Sequence, residues 1–261
     1  MERDTPRCVV ITGASRGLGR ALAIAYARPG SLLALTARDG AALDQTAAEC
    51  RQRGADVITR VADVTRPGAL ADWIAEVDAR RPIDLLIVNA GLFDGRRPNA
   101  SHESLDAAIA QLRVNLEGAI GTIDAVLPLM LARKRGHIAA IASLAAVYPL
   151  ADAPAYSASK AGLVAYCDAL RELLAPSGIA VSVVYPGHIA TRQCEAYEGA
   201  LPMLMSAGAA ARKIEAALAR RQSRIWLPAP LALMAWIGGH LPPWLRHLTG
   251  RGFRFRVRGA P

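Results

Sequence analysis

The first element of the chain is a short apolar strand that leads directly into a glycine-rich turn. Residues 7–12 (Arg-Cys-Val-Val-Ile-Thr) are typical of a buried strand, and glycines follow at positions 13, 17 and 19. A helical pattern of apolar residues begins at Leu18. Because glycines lack side chains, backbone donors can approach a diphosphate, and the dipole of the following helix favours its charge. A tight turn is the alternative, but the position directly after the first strand favours a phosphate site.

The rest of the sequence alternates between apolar runs and helical stretches. Further strands are predicted at residues 32–36, 56–61, 83–88, 137–142, 179–184 and 224–227, helices at 40–53, 103–135 and 154–174, and loop with a short helix at 189–211. With 261 residues, 52% of them hydrophobic, the chain is long enough for one large α/β domain. We expect a doubly wound parallel sheet of about seven strands with helices on both faces. Residues 7–227 form this core, and residues 228–261 are a C-terminal extension.

The end of the second strand bears on the choice between two dinucleotides. Arg38 and Asp39 stand where a dinucleotide-binding fold faces the adenosine ribose. An arginine here accommodates the 2′-phosphate of NADP, whereas a carboxylate binds the 2′-hydroxyl of NAD. We expect Arg16 and Arg38 to clamp the phosphate together, because hydrogen bonds from arginine to phosphate are strong. The sequence favours NADP(H), and two alternatives stay open: Asp39 binds the ribose of NAD, or Arg38 is only a solvated arginine.

Three further polar positions follow predicted strands or lie in a predicted helix. Asp63 either accepts a hydrogen bond from the adenine amino group or caps a helix that starts near Pro67. Asn89-Ala90-Gly91 ends the fourth strand, where the glycine lets the chain pass close to a cofactor. Asn115 is unfavourable inside a helix. Its amide either holds a water or backbone group, or is an ordinary satisfied polar group of the core.

Three side chains between residues 143 and 160 can share a proton. Tyr156 and Lys160 are four residues apart on the helix predicted after Pro154, so both rise from one face. A tyrosine titrates near pH 10 in water, and a nearby positive charge favours its anion. Ser143 ends a predicted strand and is thereby placed at the carboxyl edge of the sheet, where ligands bind. A Tyr–Lys pair also occurs on many solvated helices, and the added serine favours catalysis.

The net charge of +9 belongs almost entirely to the end of the chain. From residue 220 onward there are eight arginines and no acidic residue, whereas residues 1–219 carry 23 basic and 22 acidic side chains. A balanced body without a nucleic-acid motif argues against a DNA or RNA partner. The charged N-terminal segment is followed by too few apolar residues for a secretory signal, so we expect a cytoplasmic protein. The cysteines are widely spaced, which favours free thiols over disulfides or a metal site: Cys8, Cys50, Cys167 and Cys194.

Taken together, these residues resemble the classical short-chain dehydrogenases/reductases. The resemblance covers about residues 7–227 and rests on motifs in the family's order. They are Thr12-Gly13-x-x-x-Gly17-x-Gly19, Asp63, Asn89-Ala90-Gly91, Asn115, Ser143, Tyr156-x-x-x-Lys160 and Pro186-Gly187 with Thr191. The resemblance implies a single-domain Rossmann fold and a nucleotide-binding oxidoreductase that transfers hydride between NADP(H) and a carbonyl or secondary alcohol. It also implies a homodimer or homotetramer, and no metal.

The resemblance also implies roles for individual residues. Tyr156 would protonate the carbonyl oxygen as general acid and act as base in the reverse direction, and Lys160 would lower its pKa and bind the nicotinamide ribose. Ser143 would orient the substrate oxygen, and Asn115 would hold a water of a proton relay. The implied cofactor contacts are Gly13, Ser15, Arg16, Gly17, Leu18, Gly19, Arg38, Asp63, Val64, Asn89, Ala90, Gly91, Tyr156, Lys160, Pro186, Gly187, Ile189 and Thr191.

The C-terminal extension departs from the family pattern. No residue from Ile225 to Leu245 carries a formal charge, a length close to that of a membrane span. Prolines and glycines are expected to interrupt a helix here. Three interpretations stay open: a membrane span, a peripheral membrane contact at the inner face and, as the favoured one, a substrate lid or subunit contact. Beyond residue 252, arginines alternate with Phe and Val, which predicts a strand with one cationic face or a disordered tail.

The sequence leaves two interpretations open for the class of substrate and two for the activity. Apolar residues near the site favour a lipid-like or other apolar carbonyl: Tyr148, Leu150, Met203, Leu204 and Met205. Four other residues fit an anionic or sugar-derived substrate, such as one of surface polysaccharide synthesis, instead: Arg96, Arg97, His188 and Arg192. A non-catalytic dinucleotide-binding or scaffold protein is the alternative to an enzyme. The complete set of Asn115, Ser143, Tyr156 and Lys160 favours the enzyme.

Overall fold

A seven-stranded parallel sheet forms the centre of the protein. The computed structural model describes residues 6–66, 68, 70–191, 197–198, 201–242, 244–246 and 256–257. The strands of the sheet are β1 (Cys8–Thr12), β2 (Leu32–Ala37), β3 (Asp56–Val61), β4 (Leu85–Val88), β5 (Gly136–Ile141), β6 (Ile179–Pro186) and β7 (Arg224–Leu227). Their order in space is β7-β6-β5-β4-β1-β2-β3. The order reverses between β1 and β4, and such a switch point leaves a crevice at the carboxyl edge of the sheet.

Helices cover both faces of the sheet. They are α1 (Gly17–Tyr26), α2 (Gly40–Gln52), α3 (Ala71–Arg80), α4 (Leu105–Leu112), α5 (Gly118–Arg133), α6 (Pro154–Leu174), α7 (Ala207–Leu218) and α8 (Ala229–His240). Side chains of α1, α2 and α7 pack on one face with Val9 and Ile11, and those of α3, α5 and α6 pack on the other with Cys8 and Val10. Because both faces are buried, all five residues of β1 are buried, as its continuous apolar run predicts. Full burial of a valine, leucine or isoleucine side chain on either face stabilises the fold by about 1.5–3 kcal/mol.

The predicted strand number and the two-sided helical cover are confirmed, and the predicted bounds of β3, β7 and α6 match the structure. Strand β4 begins at Leu85 rather than at residue 83, because the Ile83 N–H donates to the Asp78 carboxylate (2.8 Å). The predicted helix 103–135 is divided: a π-helical turn, Arg113–Glu117, separates α4 from α5. This turn contains Asn115, the residue that the sequence marks as unfavourable in an α-helix.

The described residues after β6 contain more regular secondary structure than the sequence predicts. Residues 189–190 pair with 205–206, and the backbone at 197–198 pairs antiparallel with 256–257. Helix α7 starts at residue 207, inside the stretch 189–211 predicted as loop and short helix, and continues beyond it to residue 218. The uncharged run 225–245 is not one continuous helix, as expected from its prolines: α8 begins after Pro228 and ends before Pro242. Within Ala229–His240, however, the expected interruption by proline and glycine is absent. Pro230 lies in the first turn of α8, where its missing N–H has no helical partner to lose.

Helix α8 is too short to cross a membrane. Its 12 residues span about 18 Å, whereas a bilayer core is about 30 Å thick.

The alternation of arginine with Phe and Val after residue 252 is described only at the two-residue strand Arg256–Val257. The other positions of this alternation lie outside the described residues.

Candidate active site

A cavity of about 1100 Å³ opens at the carboxyl edge of the sheet, between the loops that follow the strands. All but one of the residues that the sequence assigns to catalysis or cofactor binding line it, and Asn115 is the exception. Of the substrate candidates, Tyr148, Leu150 and His188 line it, whereas Arg96, Arg97, Met203, Leu204 and Met205 do not. The lining residues among those predicted are Gly13, Ser15, Arg16, Gly17, Leu18, Gly19, Arg38, Asp63, Val64, Asn89, Ala90, Gly91, Ser143, Tyr156, Lys160, Pro186, Gly187, Ile189 and Thr191. The topology thus brings together positions that are spread over almost 180 residues of sequence.

The glycine-rich turn has the conformation and the close packing that only glycine allows. Gly13 and Gly17 have positive φ values of +66° and +57°. A Cβ at Gly19 would lie 2.2 Å from the carbonyl oxygen of Gly13, which leaves no room for any side chain. The turn therefore exposes backbone to the cavity at the N-terminus of α1, a cradle that fits a diphosphate.

Asn89 fastens this turn to the end of β4. Its amide donates to the carbonyl oxygens of Thr12 (2.9 Å) and Gly13 (3.1 Å). The backbone N–H groups of Asn89 and Ala90 both donate to the Thr12 hydroxyl (3.0 Å each). The Asn89 side chain borders the cavity, but its amide donors are used to hold the turn in place.

Arg38 and Asp39 follow β2 and line the cavity, but their surroundings differ. The Asp39 carboxylate uses both oxygens: one accepts from the Ala42 N–H as N-cap of α2 (3.1 Å), and the other accepts from the Arg16 guanidinium (2.6 Å). Arg38 is exposed, lines the cavity and forms no ion pair with any residue that the structure describes. The predicted clamp of Arg16 and Arg38 is thus not preformed, because Arg16 is bound to Asp39.

Asp63 forms a local turn at the end of β3. Its Oδ1 accepts from both the N–H (3.0 Å) and the hydroxyl (2.8 Å) of Thr65. The hydrogen bond from the Thr65 N–H, with help from the Thr65 hydroxyl and from the positive charges of Arg38 and Arg66, lowers the pKa of Asp63. The alternative that Asp63 caps a helix near Pro67 is wrong, since α3 starts at Ala71. Asp63 is therefore an anionic acceptor at the cavity wall.

Tyr156 and Lys160 rise from the first turns of α6, as the spacing of four predicts. The Lys160 Nζ lies 5.9 Å from the centre of the Tyr156 ring and donates to the carbonyl oxygen of Ile141 (2.8 Å). Lys160 is 4% exposed, and burial lowers its pKa to about 8. At pH 7 the amine remains mostly protonated, so a positive charge stands beside the phenol.

Ser143 lies directly after β5 and faces the same cavity. Its Oγ accepts from the Ala145 N–H (3.1 Å) and so caps a short 3₁₀ turn, Leu144–Ala146. Its hydroxyl proton has no acceptor among the residues the structure describes, so it can be donated to an oxygen in the cavity.

Asn115 is fully buried, and its side chain binds protein groups on every side. The amide oxygen accepts from the Leu92 N–H (2.7 Å), and the amide nitrogen donates to the Leu92 carbonyl (2.8 Å) and to the Ser159 hydroxyl (3.0 Å). Ser159 in turn donates to the carbonyl oxygen of Tyr156 (2.7 Å). The amide is thus both a satisfied polar group of the core and a holder of backbone, so these contacts do not separate the two sequence interpretations: it ties the loop after β4 to α6.

Sequence reasoning missed two contacts of the Tyr156 segment. The Phe93 ring meets the Tyr156 ring edge-on, with centres 4.9 Å apart at 84°. Glu103 is buried and accepts from the Ala155 N–H (3.0 Å), while its other oxygen accepts from the Gln111 amide. Helix α6 has no side-chain cap of its own, so Glu103 satisfies one of its free N–H groups from 52 residues away. A distant cap of this kind leaves no local signal in a sequence.

Helix α8 forms the outer wall of the cavity. Its inner side contributes Leu231, Met234 and Ile237, and Leu241 follows the helix. The helix lies directly on the loop after Ser143: a Cβ at Gly239 would be 2.2 Å from the Val147 carbonyl oxygen. The C-terminal extension is therefore part of the site, and its glycine pair allows the close contact.

Comparison with known proteins points to one family. A family model described as "short chain dehydrogenase" matches residues 7–199. An "Uncharacterized oxidoreductase" of Myxococcus xanthus (strain DK1622) is 33% identical over 249 residues, which cover 95% of this chain and 98% of that protein.

Two solved structures are similar along almost the whole chain. A short-chain dehydrogenase from Sphingobium yanoikuyae in complex with NADPH has a TM-score of 0.76 and 28% identity, with 93% of this chain and 92% of that chain covered. A bulky-bulky ketone specific alcohol dehydrogenase from Comamonas testosteroni has a TM-score of 0.74 at 24% identity, with 93% and 90% covered. The second likeness, at this identity, concerns the fold alone.

Proposed function

The chain belongs to the classical short-chain dehydrogenase/reductase family and is an oxidoreductase, and from this premise we propose that it interconverts an apolar ketone or aldehyde and its alcohol with NADP(H). The observation that carries the proposal is the placement of Ser143, Tyr156 and Lys160 on one cavity whose other end is the glycine-rich turn. When bound, the nicotinamide supplies or accepts the hydride.

The preference for NADP(H) is supported by the charges at the end of β2. Asp39 is bound by Arg16 and by the N-terminus of α2, so its carboxylate is not free for a ribose hydroxyl. Arg38 is exposed at the cavity wall and forms no ion pair with a described residue. An exposed guanidinium at this position suits a 2′-phosphate. The related Sphingobium enzyme, at 28% identity, binds NADPH.

We assign the proton transfer to Tyr156. The protonated Lys160 amine at 5.9 Å from the ring centre stabilises the phenolate, so the hydroxyl can give up its proton to a carbonyl oxygen and regain it in the reverse reaction. The Ser143 hydroxyl donates to the same oxygen and fixes its position. Asn115 acts through Ser159 and Leu92 by holding the Tyr156 turn against the loop after β4.

An apolar substrate is supported by the cavity wall. The part of the wall away from the glycine-rich turn is built from Phe93, Tyr148, Leu150, Leu231 and Met234, among others. Two of the arginines that fit an anionic substrate form ion pairs within the protein instead. Arg96 pairs with Asp152 (2.8 Å), and Arg97 pairs with Asp94 (3.1 Å).

Two further residues, His188 and Arg192, are candidates for binding an anionic or sugar-derived substrate. Burial lowers the pKa of His188, so its imidazole is uncharged at neutral pH. Arg192 lies outside the described residues. A polar substrate would thus meet few free charges in the described part of the cavity.

A homo-oligomer in the cytoplasm is part of the same proposal. The oligomer is supported by apolar surface on two helices that pack against each other: Leu105 on α4 is 74% exposed and Leu173 on α6 is 71% exposed. Light scattering of the purified protein, compared with a Leu173→Asp variant, measures the oligomeric mass.

Substitution of Tyr156 by Phe tests the proposed chemistry. The variant loses only the hydroxyl, so turnover of NADPH with a panel of aryl, alkyl and sugar-derived carbonyls should fall by about a hundredfold or more. NADPH binding, followed by fluorescence, should persist. Tyr166→Phe on the same helix is the control, since Tyr166 does not line the cavity. Turnover by Tyr156→Phe at the wild-type level would refute the assignment.

A further inference from the structure

Large apolar side chains are exposed around the mouth of the cavity, and we call this surface the mouth patch. Its members are Met203 (46% exposed), Leu204 (49%), Leu233 (59%), Trp236 (51%) and Trp244 (66%). Soluble proteins seldom expose several large apolar residues together without a binding role.

One helix position and two contacts place these residues at the mouth. Leu233 and Trp236 lie on the outer side of α8, whose inner side lines the cavity. The segment before residue 206 is tied to the cavity wall, because the Met205 N–H donates to the carbonyl oxygen of His188 (3.0 Å). Trp244 is followed by Arg246, whose guanidinium stacks on the ring of Tyr148, another wall residue, at 5.2 Å.

The two sequence segments that contain the mouth patch are basic. Segments 187–206 and 228–261 contain six arginines and two glutamates, a net charge of +4 with histidines neutral. The two segments meet in the structure, since the backbone of 256–257 pairs with that of 197–198. An apolar surface with tryptophans, carried by segments of net positive charge, is complementary to an anionic lipid surface, where tryptophan rings prefer the headgroup level.

We propose that the mouth patch docks on the surface of an anionic lipid bilayer. The contact is peripheral, with α8 lying along the surface, because this helix is too short to span the hydrocarbon core. A second copy of the chain is a poorer occupant, since a symmetric contact would bring two surfaces of net positive charge together. Docking itself does not depend on the proposed reaction. The added conclusion that substrates reach the cavity from the lipid rests on the proposed function.

Co-sedimentation of the full chain with vesicles tests docking. Vesicles of phosphatidylcholine with about one third phosphatidylglycerol should bind the protein, and vesicles of phosphatidylcholine alone should bind it at least about tenfold more weakly. Raising the salt from about 0.1 to 0.5 M should weaken binding several-fold. The emission of Trp236 and Trp244 should shift to the blue when vesicles are added, and it should be quenched by brominated lipid.

Two variants distinguish vesicle binding through the mouth patch from general electrostatic attraction to the vesicles. Leu233→Asp and Trp236→Ser should each reduce vesicle binding by about tenfold, because each removes an apolar contact and the first adds a negative charge. Neither side chain lines the cavity, so NADPH binding should be unchanged and verifies folding. Leu131→Asp on α5, at a leucine that is 39% exposed, is the control and should bind vesicles like the wild type.

The proposal is overturned if the wild type ignores anionic vesicles or if Leu233→Asp binds them as well as Leu131→Asp does. A lower oligomeric mass of Leu233→Asp, without vesicle binding by the wild type, would identify a second copy as the occupant instead. Reduction of a water-soluble ketone without vesicles, measured in the same preparations, tests the proposed function separately.

Discussion

Replacing Lys160 by Met is expected to change how the stability of the protein depends on pH. Methionine keeps much of the side-chain length and removes the amine. Burial lowers the pKa of Lys160 from 10.5 to about 8 in the folded protein, and unfolding restores the ordinary value. Between these two pKa values the unfolded chain binds more protons than the folded one. The free energy of unfolding of the wild type therefore rises as the pH rises through this window, and it falls as the pH returns below 8.

The size of the effect follows from the two pKa values. The interval between about 8 and 10.5 corresponds to about 3 kcal/mol. Linkage places about 2 kcal/mol of this gain between pH 7 and pH 9.5. The variant lacks this contribution, so its stability should rise less with pH by that amount. At pH 7 the variant avoids burying the ammonium but loses the hydrogen bond to the Ile141 carbonyl, which offsets about 1–3 kcal/mol.

Urea unfolding without cofactor, followed by far-UV circular dichroism at several pH values from about 7 to 9.5, measures the difference between wild type and variant. Both proteins carry Tyr156→Phe as a common background, because the Lys160 charge acts on the Tyr156 phenol. The difference between them then removes the titration of the other groups that both proteins share. Lys213→Met in the same background, at an exposed lysine of α7, is the control and should follow the wild type. If Lys160→Met also followed the wild type within about 0.5 kcal/mol, Lys160 would not be a desolvated amine and the reasoning would fail.

Two further substitutions test the cofactor end and the outer wall of the cavity. Arg38→Asp should weaken NADPH relative to NADH by about tenfold or more, through lost attraction and new repulsion, in fluorescence titrations of both cofactors. An equal loss for both would mean that Arg38 does not contact the 2′-phosphate. Gly239→Ala should raise the KM of the carbonyl substrate and leave NADPH affinity unchanged, because its Cβ would lie 2.2 Å from the Val147 carbonyl oxygen. Gly121→Ala, whose Cβ meets nothing within 4 Å, is its control. An unchanged KM for Gly239→Ala would contradict the close contact of α8.

The sequence predicts those parts of the fold that depend on local pattern. Strands β1 and β4 are continuous apolar runs, because both of their faces are buried, and this makes them visible without any tertiary information. The glycines of the first turn are predictable for a related reason: their backbone conformation and packing exclude other residues. The site residues that end these strands follow from the topology, since parallel strands place their carboxyl ends on one edge.

Other features arise from contacts that no local pattern encodes. Arg16 forms an ion pair with Asp39, which is 23 residues away in the sequence. The sequence alone does not show this pairing, and it therefore predicts that Arg16 and Arg38 bind the phosphate together. Helix α8 contains proline and glycine, which lower helix propensity. It is nevertheless packed against the loop after Ser143, and tertiary packing overrides propensity. Glu103 caps α6 from a distant loop for the same reason.

The π turn between α4 and α5 has a consequence for aligning this chain with its relatives. A π turn contains more residues per turn than an α-helix, so it absorbs an additional residue without forming a loop. The faces of α4 and α5 then follow two different frames, and the buried side of α5 carries Ile123, Val126 and Met130 in its own register. A relative without this turn would need a one-residue gap in the middle of a helix. Such a gap belongs at Asn115, the centre of the turn, and not in the loops that flank α4 and α5.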